Sequence, residues 1–326
     1  VKNNFTHSVD YARRSMTTTT SEMINIVTFS AITIVNALPC GRGSALAIDI
    51  PTHIVIKTSD RDYIDSADSD TLQKFVNMYR RELGIEDRFT ISVRSCIPSG
   101  SGLKSSSSVT SGIAIGIAAL SKPEMKIEDC IKISCKICKK LGISYTGALD
   151  DATASVIGGL VYTINDEYRI DSIVDVDDDL KVLIMIFNNW QRPRDLVERF
   201  RNMRNDPKIR NIFEKIYNLA FKNPLEAASL NTIYMSILLG YDLNLIYRIQ
   251  REFKPTATLL SGNGPAIAVL DSDVEKLYNV LKSFRDKLSF FRICRTLPQL
   301  RMPNEEVSKY FKSTSRLMLH LKAELR

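Results

Sequence analysis

Apolar and β-branched positions alternate or run together over residues 24–35, 45–50 and 53–58, which predicts three strands, with the turn-like PCGRGS between the first two. An acidic polar loop follows over 60–70. Residues 71–83 then show helical spacing and stop at Gly84, and alternation over 89–96 predicts a further strand. Val109, Ile113, Ile117 and Leu120 recur at helical spacing; a second helix covers 127–141 and closes at Gly142, and a third covers GALDDATAS. Strands return at 159–164 and 181–187. Helices dominate 195–251 with breaks near Pro207, Pro224 and Gly240, and 258–284 reads strand, glycine loop, strand, helix.

From Asn304 an amphipathic helix is expected, with Glu305 and Glu306 in its first turn, where the helix dipole favours acids. Its apolar face carries Val307, Tyr310, Phe311, Leu317, Leu321 and Leu325; it docks on its own domain, joins a partner or meets a membrane surface. The mixture of strands and helices puts the chain in the α/β (α+β) class. Its 326 residues correspond to two domains at roughly 150 residues each.

Hydrophobic residues at 44% and charged residues at 25% are ordinary globular usage, so disordered and collagen-like readings are excluded. The net charge of +7 suits an anionic ligand, but the 44 Lys and Arg are spread along the chain. With no basic stripe or recognition motif, no nucleic-acid partner is expected. No apolar run reaches the roughly 18 residues of a spanning helix, and polar residues such as Glu22, Asn25 and Ser30 interrupt the segment after Arg13 and Arg14 that imitates a signal peptide. No membrane partner is expected. Six cysteines in a chain of this length do not make a disulfide scaffold. Cys135-x-x-Cys138 lacks a second pair or a histidine partner, so reduced helix cysteines in a reducing, cytoplasmic setting are expected rather than zinc or redox chemistry.

The segment that carries chemistry is PSGSGLKSSSS (Pro98, Ser99, Gly100, Ser101, Gly102, Leu103, Lys104, Ser105, Ser106, Ser107, Ser108), between a predicted strand and a predicted helix. Glycines let a ligand approach the main chain, and the unpaired amides at the helix start, aided by its dipole, form an anion site. The serines add hydroxyl donors, one of which could reach Mg²⁺. Lys104 adds charge at the phosphates or at the rim. A flexible surface linker is the plain alternative, but it rarely joins a β-branched strand to an Ala/Ile-rich helix. The Walker A pattern fails because Leu103 separates glycine from lysine. Ser101-x-x-Lys104 lacks the companion motifs of serine acylases.

Pro98-x-x-x-Gly102-Leu103-x-Ser105-Ser106-Ser107 resembles the ATP motif of the GHMP kinases, the family of galactokinase, homoserine kinase, mevalonate kinase and phosphomevalonate kinase. ALPCGRGSALAID (Ala37 to Asp49) resembles the amino-terminal substrate-side motif of one branch, and Ser261-Gly262-Asn263-Gly264-Pro265 the carboxy-terminal glycine motif. Together with the long serine run and TGALDDATAS (Thr146 to Ser155), these are most similar to the archaeal shikimate kinase branch. The resemblance spans about residues 24–294. It implies a two-domain fold with the active site in the interdomain cleft: a tail over 1–22, an ATP-binding domain over 23–180, a second domain over 181–295 and a helical extension over 296–326. It also implies ATP and Mg²⁺ as cofactors and phosphoryl transfer to the 3-hydroxyl of shikimate. Homoserine kinase is the nearest competitor; a catalytically inactive nucleotide or metabolite sensor is the reading of a different class.

By the same resemblance, Asp150 accepts or orients the hydroxyl proton and Ser106 is a Mg²⁺ ligand. Asp151 assists, binds substrate or reaches the metal. Two adjacent carboxylates raise one another's proton affinity, which suits a base. Many relatives supply a metal-binding glutamate from the preceding helix, but IKISCKICKKLG has no acid after Asp129. Arg42 is expected to hold a substrate carboxylate or the transferring phosphate, or to be a turn arginine. Asp49 contacts substrate hydroxyls or caps a strand, and Gly262 and Gly264 let the chain pass close to the site. Arg192 and Arg194 make an anion clamp or a solvated turn.

Overall fold

A computed structural model describes residues 22–176, 179–189 and 195–300. Arg192, Arg194 and the helix expected from Asn304 lie outside the described residues. In chain order the described elements are β1 (Met23–Val35), β2 (Arg42–Ser59), β3 (Tyr63–Asp65), α1 (Ser69–Leu83), β4 (Arg88–Ser95), α2 (Ser105–Ser121), α3 (Ile127–Lys140), α4 (Leu149–Ile157), β5 (Leu160–Ile164) and β6 (Arg169–Val174). There follow β7 (Lys181–Phe187), α5 (Leu196–Asn205), α6 (Pro207–Ala220), α7 (Pro224–Leu239), α8 (Leu243–Phe253), β8 (Ala257–Leu260), β9 (Ile267–Asp271), α9 (Val274–Phe284) and β10 (Leu288–Arg295).

The first ten elements build one sheet of order β3-β4-β2-β5-β6, with β1 paired to β2, and the remainder builds a second sheet of order β10-β7-β9-β8. The strands expected over 45–50 and 53–58 are one continuous strand, β2. Pro51 pairs opposite Phe29 beside a register shift between Phe29 and Ser30, the place where a residue without an N–H interrupts a ladder least. The second half of the strand pairs with β4 and its first half with β5.

Helix boundaries follow local chemistry. Gly84 caps α1 in the left-handed region at φ 62°. Asp206 and Asn223 accept the first amides of α6 and α7, with Pro207 and Pro224 seated in the first turn. Among the described residues no helix is long and apolar enough to cross a membrane.

Helix α2 is buried from Ser108 to Ala118, so it is held by tertiary packing all round rather than by one amphipathic stripe. One apolar cluster joins the two sheets: Ile48, Ile50, Leu103 and Tyr162 from the first half pack with Val182, Ile184, Phe213 and Leu259 from the second. Beyond β10 the chain crosses back over 296–300. Thr296 bridges Ile48, Leu297 N donates to Ala47 O at 3.0 Å, and Leu300 N donates to Ile157 O at 2.8 Å. The two halves are therefore held together by a shared core and a main-chain strap.

Candidate active site

A cleft of about 340 Å³ lies where the two halves meet. Its wall is formed by Thr33 and the turn Asn36–Leu38 after β1, the loop and first turn of α2, the α3–α4 loop with Asp150 and Asp151, the start of α5, and Gly262 with Asn263 between β8 and β9.

The glycine and serine loop is nailed into the core by Leu103, which is fully buried and whose carbonyl accepts from Ser30 Oγ at 2.9 Å. Ser101 Oγ donates to Pro98 O at 2.7 Å and accepts from Leu103 N at 3.2 Å, so it shapes the turn. Gly102 adopts φ 86°, and a Cβ there would collide with Ser261 O; only glycine permits both the conformation and the approach. Ser261 Oγ donates to Gly102 O at 3.0 Å and Ala266 N donates to Ser101 O at 3.0 Å. The loop and the β8–β9 turn, 159 residues apart in sequence, thus form one structure.

The first helical bond of α2 runs from Ser108 N to Lys104 O at 2.9 Å. The amides of Ser105, Ser106 and Ser107 precede it, and those residues line the cleft with no acid in the first turn. This is a seat for an anion.

Not every residue expected in the loop faces this seat. Pro98 and Ser99 lie outside the cleft wall. Leu103 points into the core, and Ser108 is buried with its hydroxyl 2.8 Å from Thr28 Oγ1. Lys104, placed by the sequence at the phosphates or the rim, lines the cleft but is engaged by neighbouring side chains. Its side chain is 8% exposed, with Nζ 2.9 Å from Asp151 Oδ1 and donating to Thr33 Oγ1 at 2.6 Å. Thr33 Oγ1 in turn accepts from Gly262 N at 2.8 Å.

Asp150, in the first turn of α4, is only 3% exposed. Asn165 Nδ2 donates to its Oδ1 at 2.9 Å, and Thr163 Oγ1 fixes that amide by donating to Asn165 Oδ1 at 2.6 Å. Burial, and after it the charge of Asp151, push the Asp150 carboxyl up to about 7, against the opposing pull of Lys104 and the Asn165 amide. Gly43 makes room for this carboxylate: a Cβ there would overlap Asp150 Oδ2 and come within 2.9 Å of Ala37 Cβ. A buried acid near neutrality, facing the same cleft as the anion seat, can take a proton from an alcohol.

Other expected substrate contacts lie elsewhere. Arg42 sits outside the cleft wall, with its guanidinium 5.8 Å from the Tyr217 ring centroid. Asp49 is committed to Arg295, accepting from its N at 2.9 Å and its Nε at 3.2 Å. Gly262 lines the cleft; Gly264 does not, and packs against Tyr241, whose hydroxyl donates to Asn263 O at 2.8 Å.

Sequence reasoning missed Thr33, Asn36 and Asn165, whose roles come from partners distant in sequence. It also missed the apolar side of the cleft, where Leu196, Val197 and Phe200 of α5 stand with Tyr145, whose ring meets Phe200 edge-on at 5.1 Å. Arg204 of α5 fastens that helix to the turn after β1 through Leu38 O at 3.2 Å and to Asp166.

Mg²⁺ would find an exposed Ser106 hydroxyl at the anion seat. The acids of the wall are Asp150 and Asp151, and the second is engaged by Lys104. The described residues hold no group of three or more His, Cys, Asp or Glu suited to a metal ion. The donor set therefore fits a hydrated Mg²⁺ carried in on phosphates, not a cage made by the protein alone.

An anion seat at a helix start and a buried acid across one cleft are what phosphoryl transfer to a small alcohol requires. The model of the GHMP kinases N-terminal domain matches residues 70–159. Shikimate kinase of Pyrococcus furiosus is 31% identical over 270 residues, covering 79% of this chain and 94% of its own. Shikimate kinase of Archaeoglobus fulgidus is 29% identical, covering 78% and 86%. Among solved structures, a mevalonate kinase superposes with a TM-score of 0.66 at 20% identity, covering 84% of this chain and 99% of that one. Homoserine kinase from Cytophaga hutchinsonii gives 0.63 at 18% identity, covering 84% and 95%. The chain belongs to the GHMP kinases, which are ATP-dependent small-molecule kinases.

Proposed function

We propose that this protein is a shikimate kinase, transferring the γ-phosphoryl group of ATP to the 3-hydroxyl of shikimate. The observation that carries the chemistry is the pairing, in one cleft, of the amides of Ser105 to Ser107 with the buried carboxylate of Asp150. The choice of acceptor rests on the likeness to shikimate kinases along most of the chain.

In this reading Gly100, Ser101, Gly102 and Ser105 to Ser107 cradle the phosphates, and Ser106 offers its hydroxyl to Mg²⁺. When bound, Mg²⁺ supplies charge neutralisation across the phosphates. Asp150 takes the proton of the acceptor hydroxyl as that oxygen forms its bond to the γ-phosphorus. The bond from γ-phosphorus to the bridging oxygen breaks, and ADP leaves with that electron pair. Asn165 and Gly43 hold the acid in place. Gly262, with Asn36 Nδ2 donating to its carbonyl at 3.1 Å, supports the far side of the cleft. Tyr145, Leu196, Val197 and Phe200 give the acceptor an apolar wall. The two sheets are the two lobes, changing over near residue 180. Six free cysteines, five of them buried, suit a reducing cytoplasm.

A coupled ADP-release assay against shikimate, homoserine and mevalonate tests the assignment. Turnover with shikimate well above the other two is expected. Turnover with homoserine alone would reassign the acceptor, and ATP binding without turnover of any alcohol would support a sensor.

A further inference from the structure

Lys104 occupies the place in the phosphate loop where a lysine would be expected to reach a phosphate. Instead, on the cleft wall its Nζ is engaged by side chains, 2.9 Å from Asp151 Oδ1 and 2.6 Å from Thr33 Oγ1. Its backbone is left-handed, at φ 68°. The same ammonium would lie 3.2 Å from a Cβ at Gly262, so the β8–β9 turn closes over it.

We infer that Lys104 is a positioning residue of the acid pair: it pairs with Asp151 and leaves the neighbouring Asp150 as the carboxyl that exchanges the proton with the acceptor. This rests on the reading of Asp150 as the base of the proposed reaction. The alternative is a lysine that swings out to grip ATP.

Among the described residues, the surroundings of Asp150 offer no other charge to do this. From α3, Cys135 faces the two aspartates, but burial pushes its thiol well above the ordinary range, so it is neutral. From α6, Tyr217 faces Asp150; burial first, and then Asp171, which accepts from its hydroxyl at 3.1 Å, raise it and keep it neutral. Arg42 of β2 is turned onto the Tyr217 ring. From β1 comes Thr33, and from the turn after β5 comes Asn165, both uncharged. Among the described residues the local balance is therefore two carboxylates and one ammonium. With the ammonium committed to Asp151, the pair holds one charge cheaply and resists the second, which makes Asp150 responsive near neutral pH.

The two partners act with opposite sign, and this provides the test. In unliganded protein the carboxylic-acid stretch of Asp150 is followed by pH-difference infrared spectroscopy, with Asp150→Asn identifying the band. Lys104→Met should raise the midpoint by about one pH unit, Asp151→Asn should lower it by a similar amount, and Lys104→Arg should return it towards wild type. ATP affinity, measured by calorimetry, should change less than about threefold in Lys104→Met, while kcat with shikimate falls about tenfold or more. An unmoved midpoint in Asp151→Asn would overturn the inference even if Lys104→Met fails to fold. So would a loss of ATP affinity of tenfold or more in Lys104→Met with no shift in midpoint. The infrared result needs no turnover, so a wrong acceptor assignment would appear as an inactive wild type with the shifts intact.

Discussion

Asn165 Nδ2 donates to Asp150 Oδ1 across 2.9 Å, and both residues are buried. The amide of a turn residue after β5 thus orients the carboxylate of α4. Asn165→Ala would strip that donor from Asp150 and leave Thr163 Oγ1 without its acceptor. Stability should fall by about 1–3 kcal/mol in urea denaturation. The acid limb of the rate profile should also move to higher pH, because the lost hydrogen bond favoured the charged form.

The rate itself should report the same carboxyl. Asp150 is raised to about 7, chiefly by burial; below that pH it is protonated and cannot accept the hydroxyl proton. A plot of log kcat/KM for the acceptor should therefore rise with pH through an acid limb near 7 and level off above it. A profile flat from pH 5.5 to 8.5 would remove Asp150 from the base role.

Stability should run the other way. The folded state holds the Asp150 proton up to a higher pH than the unfolded chain, whose carboxylate titrates near about 3.9. Between those values the native protein binds more protons, so the contribution of this site is greatest in acid and is lost as pH rises through about 7. Asp150→Asn removes the buried charge and keeps an acceptor for Asn165. At pH 8 it should melt higher than wild type, by a difference on the order of 2–4 kcal/mol that vanishes near pH 4. Turnover should fall about 10²–10⁴-fold with ATP affinity retained.

Gly43 supplies a purely steric prediction. A methyl group in Gly43→Ala would overlap Asp150 Oδ2 and crowd Ala37, both parts of the cleft wall. Calorimetric ATP affinity should hold, because the anion seat is built from other residues. The kcat should drop about 10²-fold through misplacement of the base.

Local chemistry in the chain carried much of this. The helices over 195–251 break where Pro207, Pro224 and Gly240 stand, since caps and prolines act on their own neighbours. The loop before α2 was readable because glycines and serines between a strand and a helix have few other uses. What stayed hidden was set by long-range packing. The stretches 45–50 and 53–58 read as two strands, yet β2 runs through Pro51, beside the register shift after Phe29. The short β3 depends on pairing with β4. Lys104 read as a charge at the phosphates or at the rim, and its pairing with Asp151 and Thr33, brought by other elements, had no local signal. Asn165 left no local signal, and Asp49 sits in a suggestive motif but answers to Arg295, 246 residues away.

The most direct test of the account is a crystal structure with a non-hydrolysable ATP analogue, Mg²⁺ and shikimate. The account predicts phosphates on the amides of Ser105 to Ser107 and an Asp150 carboxylate oxygen about 2.6–3.2 Å from the acceptor hydroxyl. A nucleotide seated away from that loop, or an acceptor hydroxyl facing a different group with Asp150 out of reach, would contradict it.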